Sequence, residues 1–220
     1  MERLLDRPNL RDQIYDIIRE LIIRRQIRPG EKINEEQLAE TIGVSRTPIR
    51  ETLCRLENEG IVKVIPRRGT FVTELSRGSV TDVLQIREVL EGLVARLATK
   101  NMDDKTLRGL RGCLQRVEAT PEEARQPMQY TRAEEDFHAL LLEVCGNQML
   151  KNMMEVVNGH LRLIRIRTVV LPGRAKKSVQ EHHQILKAVE RGDADLAEEV
   201  MRKHVASVRN DALRNIEAIV

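Results

Sequence analysis

The sequence predicts a mainly α-helical chain in two parts, three helices closed by a small β-hairpin and then an antiparallel helical bundle. Up to about residue 75, short runs of helical periodicity lead into two β-prone runs joined by Pro66-Arg67-Arg68-Gly69. From Ser79 onward apolar residues recur at helical spacing and no strand-like alternation persists. The polar stretch from Thr73 to Ser79, which contains Gly78, separates the two, so domains are expected at 1-75 and 76-220.

In the first part, Leu10, Ile14, Ile17, Ile18, Leu21 and Ile22 form a helical stripe that Pro29-Gly30 closes. A second helix is expected from about Glu35 to Ile42, with Leu38, Ala39 and Ile42 on one face and Gly43 supplying the turn. A third begins near Ser45 or Thr47, either of which can cap its amides, and Pro48 is tolerated in a first turn that has no N–H partners to lose. Its apolar stripe is Ile49, Leu53 and Leu56, so Thr47, Arg50 and Cys54 project to the side. The runs IVKVI and TFVT then make a hairpin with two guanidinium groups at its tip. That order of elements is a winged helix-turn-helix. A recognition helix enters the major groove N-terminus first, which makes Arg46, Thr47 and Arg50 the candidates for guanine edges or phosphates. Arg67, Arg68 and Gly69 at the wing tip are placed to probe an adjacent groove or backbone.

Bulk composition narrows the alternatives. The 220 residues suffice for two small cores, and a hydrophobic fraction of 41% is ordinary for a globular chain rather than a disordered one. No apolar run approaches a membrane span, and Met1-Glu2-Arg3 leads into a helix of mixed charge instead of a signal peptide, so no membrane partner and a cytoplasmic location are expected. Cys54, Cys113 and Cys145 are odd in number and far apart, which suggests neither a disulfide framework nor a cysteine-based zinc site. The net charge of +3 does not announce nucleic acid, and the signal lies in the placement of arginines within the first third. With two Phe, two Tyr and no Trp, the chain lacks the aromatic platforms that bind unstacked bases, which favours double-stranded DNA.

In the second part, helices are expected over 79–100, 103–119, 128–145, 147–170, 174–191 and 194–217. They are separated at Asp103, Pro121, Pro127, Gly146, Pro172, Gly173 and Gly192-Asp193. Within them, His182 lies in the apolar direction set by Val179, Ile185, Leu186 and Val189, whereas His183 is turned about 90° away. His204 continues the row Leu196, Val200, Val208, and Glu134 and His138 are neighbours one turn apart at the edge of a face made by Tyr130, Ala133, Phe137 and Leu141. Three inward imidazoles and a carboxylate suit a divalent ion, zinc first, with nickel or manganese as alternatives. The competing reading is a set of hydrogen-bonded core histidines. His160 is expected to be ordinary packing or surface, and Arg162, Arg165 and Arg167 a solvated face.

These residues resemble the GntR family of bacterial transcription regulators, in the FadR-like branch with an all-helical FCD ligand domain. LAETIGVSRTPIRETLCRLENEGIV and RRGTFV carry the resemblance in the first part. IREVLEGLVARLA, EEDFHALLLEVCGN and EHHQILKAVERGDADLAEEVMRKHV carry it in the second. The resemblance implies operator contacts from Arg46, Thr47 and Arg50, with the wing tip at Arg67, Arg68 and Gly69 completing the half-site. Metal-binding members of that branch use an Asp and a His four apart followed by two more His, positions that fall here on Glu134, His138, His182 and His204. Glutamate keeps the charge but reaches one methylene farther, so the ion is displaced, bound differently, or held by the three imidazoles alone. The resemblance further implies a small carboxylate effector beside the metal, assisted by Arg87. The competing reading of Arg87 is a surface residue paired with Glu91 one turn away.

The function expected is therefore a homodimeric, sequence-specific regulator of transcription that binds a pseudo-palindromic operator under control of an organic acid. One alternative makes the ion itself the signal. Another, a metalloenzyme with Glu135 or Asp136 as base, finds no support in any HExxH-like motif, and no enzyme activity is expected.

Overall fold

A computed structural model describes residues 10–119 and 127–220, with the side chains of 127 and 128 left aside. The expectations placed on Met1, Glu2, Arg3 and Pro121 fall outside the described residues. The chain divides into two compact units, Met1–Leu75 and Ser76–Val220. Helices and a two-stranded hairpin make up the first and helices alone the second, which is the mainly α architecture the sequence predicts.

The first unit contains α1 (Leu10–Ile23), α2 (Glu35–Ile42) and α3 (Arg46–Asn58), then the antiparallel strands β1 (Val62–Ile65) and β2 (Gly69–Val72). Ile14, Ile18 and Ile22 of α1 meet Ile49, Leu53 and Leu56 of α3 in a core closed by Leu38, Ile61, Val62 and Val72. Polar groups brace the same contact at its edge. The Tyr15 hydroxyl donates to Glu59 at 2.5 Å, and the Arg55 guanidinium lies 3.9 Å from the Tyr15 ring centre while donating to Asp12. Asn34 caps α2 by accepting from the amides of Glu36 and Gln37. Gly43 ends that helix at φ 78°, a left-handed conformation that explains the glycine in the turn. Ser45 occupies the cap position of α3 but makes no side-chain capping bond. The hairpin pairs Val62 with Val72 and Ile65 with Gly69, and Arg67 at its tip has φ 63°. Lys32 and its neighbours add a short third pairing against Phe71, tying the wing to the segment before α2.

The second unit runs α4 (Arg77–Lys100), α5 (Asp104–Glu118), α6 (Pro127–Val144), α7 (Gln148–Val169), α8 (Arg174–Glu190), α9 (Ala194–Arg214) and α10 (Ile216–Ile219). Ser76 and Ser79 form a capping box on α4, and Asp103, Asn147 and Asp193 cap α5, α7 and α9. Helices α4 and α9 lie along one another, joined by Arg96 to Glu198 at 3.0 Å and Arg209 to Glu88 at 2.5 Å. Gly92 lets the Arg202 side chain lie close against α4, since a β-carbon there would stand 2.7 Å from Cγ of Arg202 and push it aside. The core is Val94, Ala98, Leu110, Leu114, Phe137, Leu141, Ile185, Val189, Met201 and Val205 with their neighbours. The expected last helix over 194–217 instead breaks at Asn215. The short α10 then turns Ile216 and Ile219 into the interior, where the Ile219 carbonyl accepts from Arg167.

Asn34→Ala removes the acceptor for two helix-end amides at the entrance to the helix-turn-helix. It is expected to destabilise the first unit by about 1 kcal/mol, read as a lower urea midpoint for that unit's transition.

Candidate DNA interface and effector pocket

On the first unit, Arg46, Thr47 and Arg50 all lie on the exposed side of α3, and Arg67 and Arg68 are exposed at the wing tip. Gly69 starts β2 at φ 106°, a backbone conformation that favours glycine, and lies against the end of the Lys32 side chain. The two α3 arginines are held by carboxylates of α2, Arg46 by Glu36 and Arg50 by Glu35 at 2.7 Å. Such exposed pairs contribute little to stability and exchange readily for another anion. Lys32, Asn34, Arg46 and Gly69 share one concave surface between α2 and the wing. Lys32 escapes a sequence reading because its neighbour Phe71 is distant along the chain.

In the second unit, His138 of α6, His182 of α8 and His204 of α9 converge in the bundle interior, with one ring nitrogen of each within 4.8 Å of the others. All three are buried. Nε2 of His138 and Nε2 of His182 are 3.2 Å apart. Two neutral imidazoles can be that close if one donates to the other, and the same spacing is the edge of a tetrahedron with metal–nitrogen bonds of about 2.0–2.1 Å. Nε2 of His204 is buried with no hydrogen-bond partner. Phe137 stacks on His182, ring centres 4.7 Å apart, and fixes its plane.

The outer nitrogens of two rings are anchored. Nδ1 of His138 lies 2.5 Å from a Glu91 oxygen and Nδ1 of His204 donates to Glu181 at 2.8 Å, so both rings turn Nε2 toward the cluster. Arg174 supports Glu181 and reaches Ser207 and Asp211 at 2.9 Å. Burial would raise the Glu181 carboxyl, but hydrogen bonds from His204 and Arg174 hold it at about 2. Burial holds His138 below the usual imidazole range against the pull of Glu91, and burial together with the other two histidines holds His182 well below it. Both are thus neutral near pH 7, the state a metal ligand needs. The donor set fits a divalent ion.

Glu134 stands apart from that set. Its carboxylate accepts from Nη2 of Arg87 at 3.3 Å and lies 3.6 Å from Nε of Arg165, and it is not among the groups that converge with the three imidazoles. Arg87 is fully buried, donates to Glu91 through Nε at 2.7 Å, and brings Nη2 to 3.4 Å from Nε2 of His138. Both readings of Arg87 hold in part, since it pairs with Glu91 across a helical turn but does so inside the bundle. Burial would raise Glu91, yet Arg87 and His138 hold it well below the usual carboxylate range.

The expected solvated face on α7 is corrected. Arg165 and Arg167 are buried and Arg162 is half-buried, because this stretch of α7 lies inside the bundle, where Glu91 and Glu134 meet Arg165 and the Ile219 carbonyl accepts from Arg167. Arg165 lies between Glu91 and Glu134, donates to Asn158 at 3.3 Å, and leaves Nε without a hydrogen bond. Burial and the nearby Arg87 both lower its affinity for a proton. It lines a cavity of about 220 Å³ together with Glu91, Glu135, His138, Asn158 and Arg162. His183 lies outside the cluster, paired with Glu118 at 2.7 Å, and His160 is exposed. Glu91 was legible in principle: with Arg87 it interrupts the inward row Val80, Leu84, Val94, Ala98, where periodicity calls for apolar residues. Glu181, beside His182 in sequence, carries no comparable signal.

Residues 10–72 match the family described as bacterial regulatory proteins of the gntR family, and residues 82–207 match the FCD domain. The HTH-type transcriptional regulator YdhC of Bacillus subtilis is 32% identical over 192 residues, 87% of this chain and 86% of that one. The HTH-type transcriptional repressor RspR of Escherichia coli is 26% identical, covering 93% and 89%. A solved GntR-type regulator from Rhodococcus shares the fold, with a TM-score of 0.64 at 20% identity over 93% of this chain and 98% of that one. Both domains and these relatives are those of transcription regulators rather than enzymes. No helix among the described residues is long and apolar enough to cross a membrane. The chain belongs to the GntR family as a DNA-binding transcriptional regulator whose second unit is an FCD domain.

Proposed function

We propose that this regulator is a cytoplasmic homodimer whose hold on a pseudo-palindromic operator is set by a small carboxylate effector. The effector binds beside a divalent metal ion, zinc in the first instance, in the second unit. The observation that carries the reading is the buried convergence of three imidazoles next to an arginine-lined cavity, in a chain that also presents a recognition helix and wing.

On the operator, Arg46, Thr47 and Arg50 serve base edges and phosphates of the major groove, Arg67, Arg68 and Gly69 serve the neighbouring backbone or minor groove, and Lys32 adds a phosphate contact. DNA replaces Glu36 and Glu35 as partners of Arg46 and Arg50. In the bundle, Nε2 of His138, His182 and His204 would hold the ion, with Glu91 and Glu181 keeping two of the rings in the ligating tautomer. When bound, the ion supplies a Lewis-acid position for an effector carboxylate. Glu134 acts as the counter-ion of Arg87 and Arg165, in keeping with its longer side chain. Arg87 holds Glu91 and stands ready beside the effector.

A second copy covers the outer side of α4 and α7. Ile86, Val89 and Leu93 recur at helical spacing on α4, and Met149, Met153 and Val156 do so on α7, all exposed. The two helices pack together, and α4 carries Arg87 and Glu91 inward and this apolar row outward. A rigid helix shared by pocket and dimer face lets effector binding favour one dimer geometry, provided the two geometries differ in effector affinity.

A second reading, in which the ion is itself the signal, draws on the anchoring of His138 and His204 before any acid arrives. Operator affinity that follows zinc concentration without an organic acid selects it. Affinity that changes only when an acid is added to the zinc-loaded protein selects the first.

Arg50→Ala is expected to weaken specific operator binding roughly tenfold or more while the dimer stays folded, measured by fluorescence anisotropy; unchanged affinity removes Arg50 from the interface. His182→Ala is expected to lower bound metal from about one ion per protomer toward none by elemental analysis, and retention of the wild-type content rules it out as a ligand. Val89→Glu places a charge in the α4 row and is expected to give a folded monomer by light scattering; a dimer of unchanged affinity places the interface elsewhere.

A further inference from the structure

Two concave surfaces flank the exposed side of α3. One is shared with α2 and the wing and carries Lys32, Arg46 and Gly69. The other is shared with α1, holds a groove of about 710 Å³, and sets Arg11 and Asp12 of α1 beside Thr47, Arg50 and Glu51 of α3. A helix lying in the major groove, about 12 Å wide, has a phosphate strand on either side of it. Lys32 and the wing serve the strand on their side, and the other strand falls beside α1.

Besides Arg50, the groove on the α1 side is lined by Arg11 and Arg55, and these two are held differently. Arg55 is part of the packing between α1 and α3, with its guanidinium 3.9 Å from the Tyr15 ring centre and donating to Asp12 at 2.9 Å. Arg11 instead reaches outward from α1 to α3, where Nε lies 2.9 Å from one oxygen of Glu51 and Nη2 donates to the other at 3.3 Å. A guanidinium fork that grips a carboxylate by two atoms grips a phosphate in the same way. The Arg11 and Glu51 side chains are 65% and 44% exposed, and a pair so exposed gives way to another anion at little cost. We infer that Arg11 binds a backbone phosphate of the operator, on the strand opposite the one served by the wing. Such a contact fixes the register of α3 in the groove and carries no sequence information itself. It deepens the reading of α3 as the recognition helix and rests on it, and it makes α1 a third DNA-contacting element of the first unit.

The test uses the full-length chain and two duplexes of about 30 base pairs, one of random sequence and one enriched from a random library by the wild-type protein, each titrated over a series of KCl concentrations. Arg11→Ala is expected to weaken binding to both duplexes by a similar factor, roughly tenfold or more at low salt. It also lowers the slope of log affinity against log salt by about 0.9 for each protomer on the duplex. The preference for the enriched duplex stays within about twofold of wild type in Arg11→Ala and falls in Arg50→Ala. Arg11→Lys keeps the charge and is expected to restore most of the slope, and Glu51→Gln removes the competing carboxylate and is expected to tighten binding to both duplexes. Unchanged affinity and slope in Arg11→Ala, with Arg50→Ala still impaired, overturn the phosphate contact and leave the recognition helix standing. A preference lost in Arg11→Ala overturns its assignment to the backbone. Wild-type binding by both variants overturns the reading of α3 as well.

Discussion

The second unit is arranged around a charge-balanced cluster of buried side chains. Arg87 is fully buried, Glu91 and Arg165 nearly so, and Glu134 closes the ring between the two guanidinium groups. An isolated ion there would cost several kcal/mol, so each of these groups is tolerable only because the others are present. Four helices must therefore keep their register to within a hydrogen bond: α4 through Arg87 and Glu91, α6 through Glu134 and His138, α7 through Arg165, and α8 through His182 at the shared edge. A hydrophobic core tolerates small slides, whereas this cluster does not.

The same cluster gives the histidines their chemistry. Glu91 is tied to Arg87 on one side and to Nδ1 of His138 on the other, so the ring that faces the cavity is oriented by the ion pair behind it. A parallel arrangement holds His204, through Glu181 and Arg174 to Asp211 and Ser207. Burial keeps His138 and His182 neutral. The proposed metal site is thus built from carboxylate-anchored imidazoles, and the glutamate at the fourth expected position is occupied with arginines instead. In the first unit the logic is reversed. Arg46 and Arg50 are paired with Glu36 and Glu35 in water, where such pairs hold loosely and give way to another anion.

Much of this was legible in the chain and some was not. The helix-turn-helix could be read because its signals are local: Gly43 ending one helix, Pro48 inside the first turn of the next, and a stripe of Ile49, Leu53 and Leu56 that fixes which way Arg50 points. The inward direction of His182 and His204 followed from periodicity in the same way. Arg165 and Arg167 were misread for an instructive reason. Charged residues spaced along a helix indicate solvent by default, and only their partners, Glu91 and Glu134 for one and the Ile219 carbonyl for the other, make their burial possible.

The sequence by itself determined the mainly helical architecture, the faces of the helices and the residue types able to read DNA or bind an ion, because those depend on spacing within one element. Only the tertiary structure decided that three histidines from α6, α8 and α9 bring ring nitrogens within 4.8 Å of one another, and that Glu134 turns to Arg87 and Arg165. Convergence between helices is set by packing angles and by the cancellation of buried charge, and those are properties of the assembled bundle that no periodicity along the chain encodes.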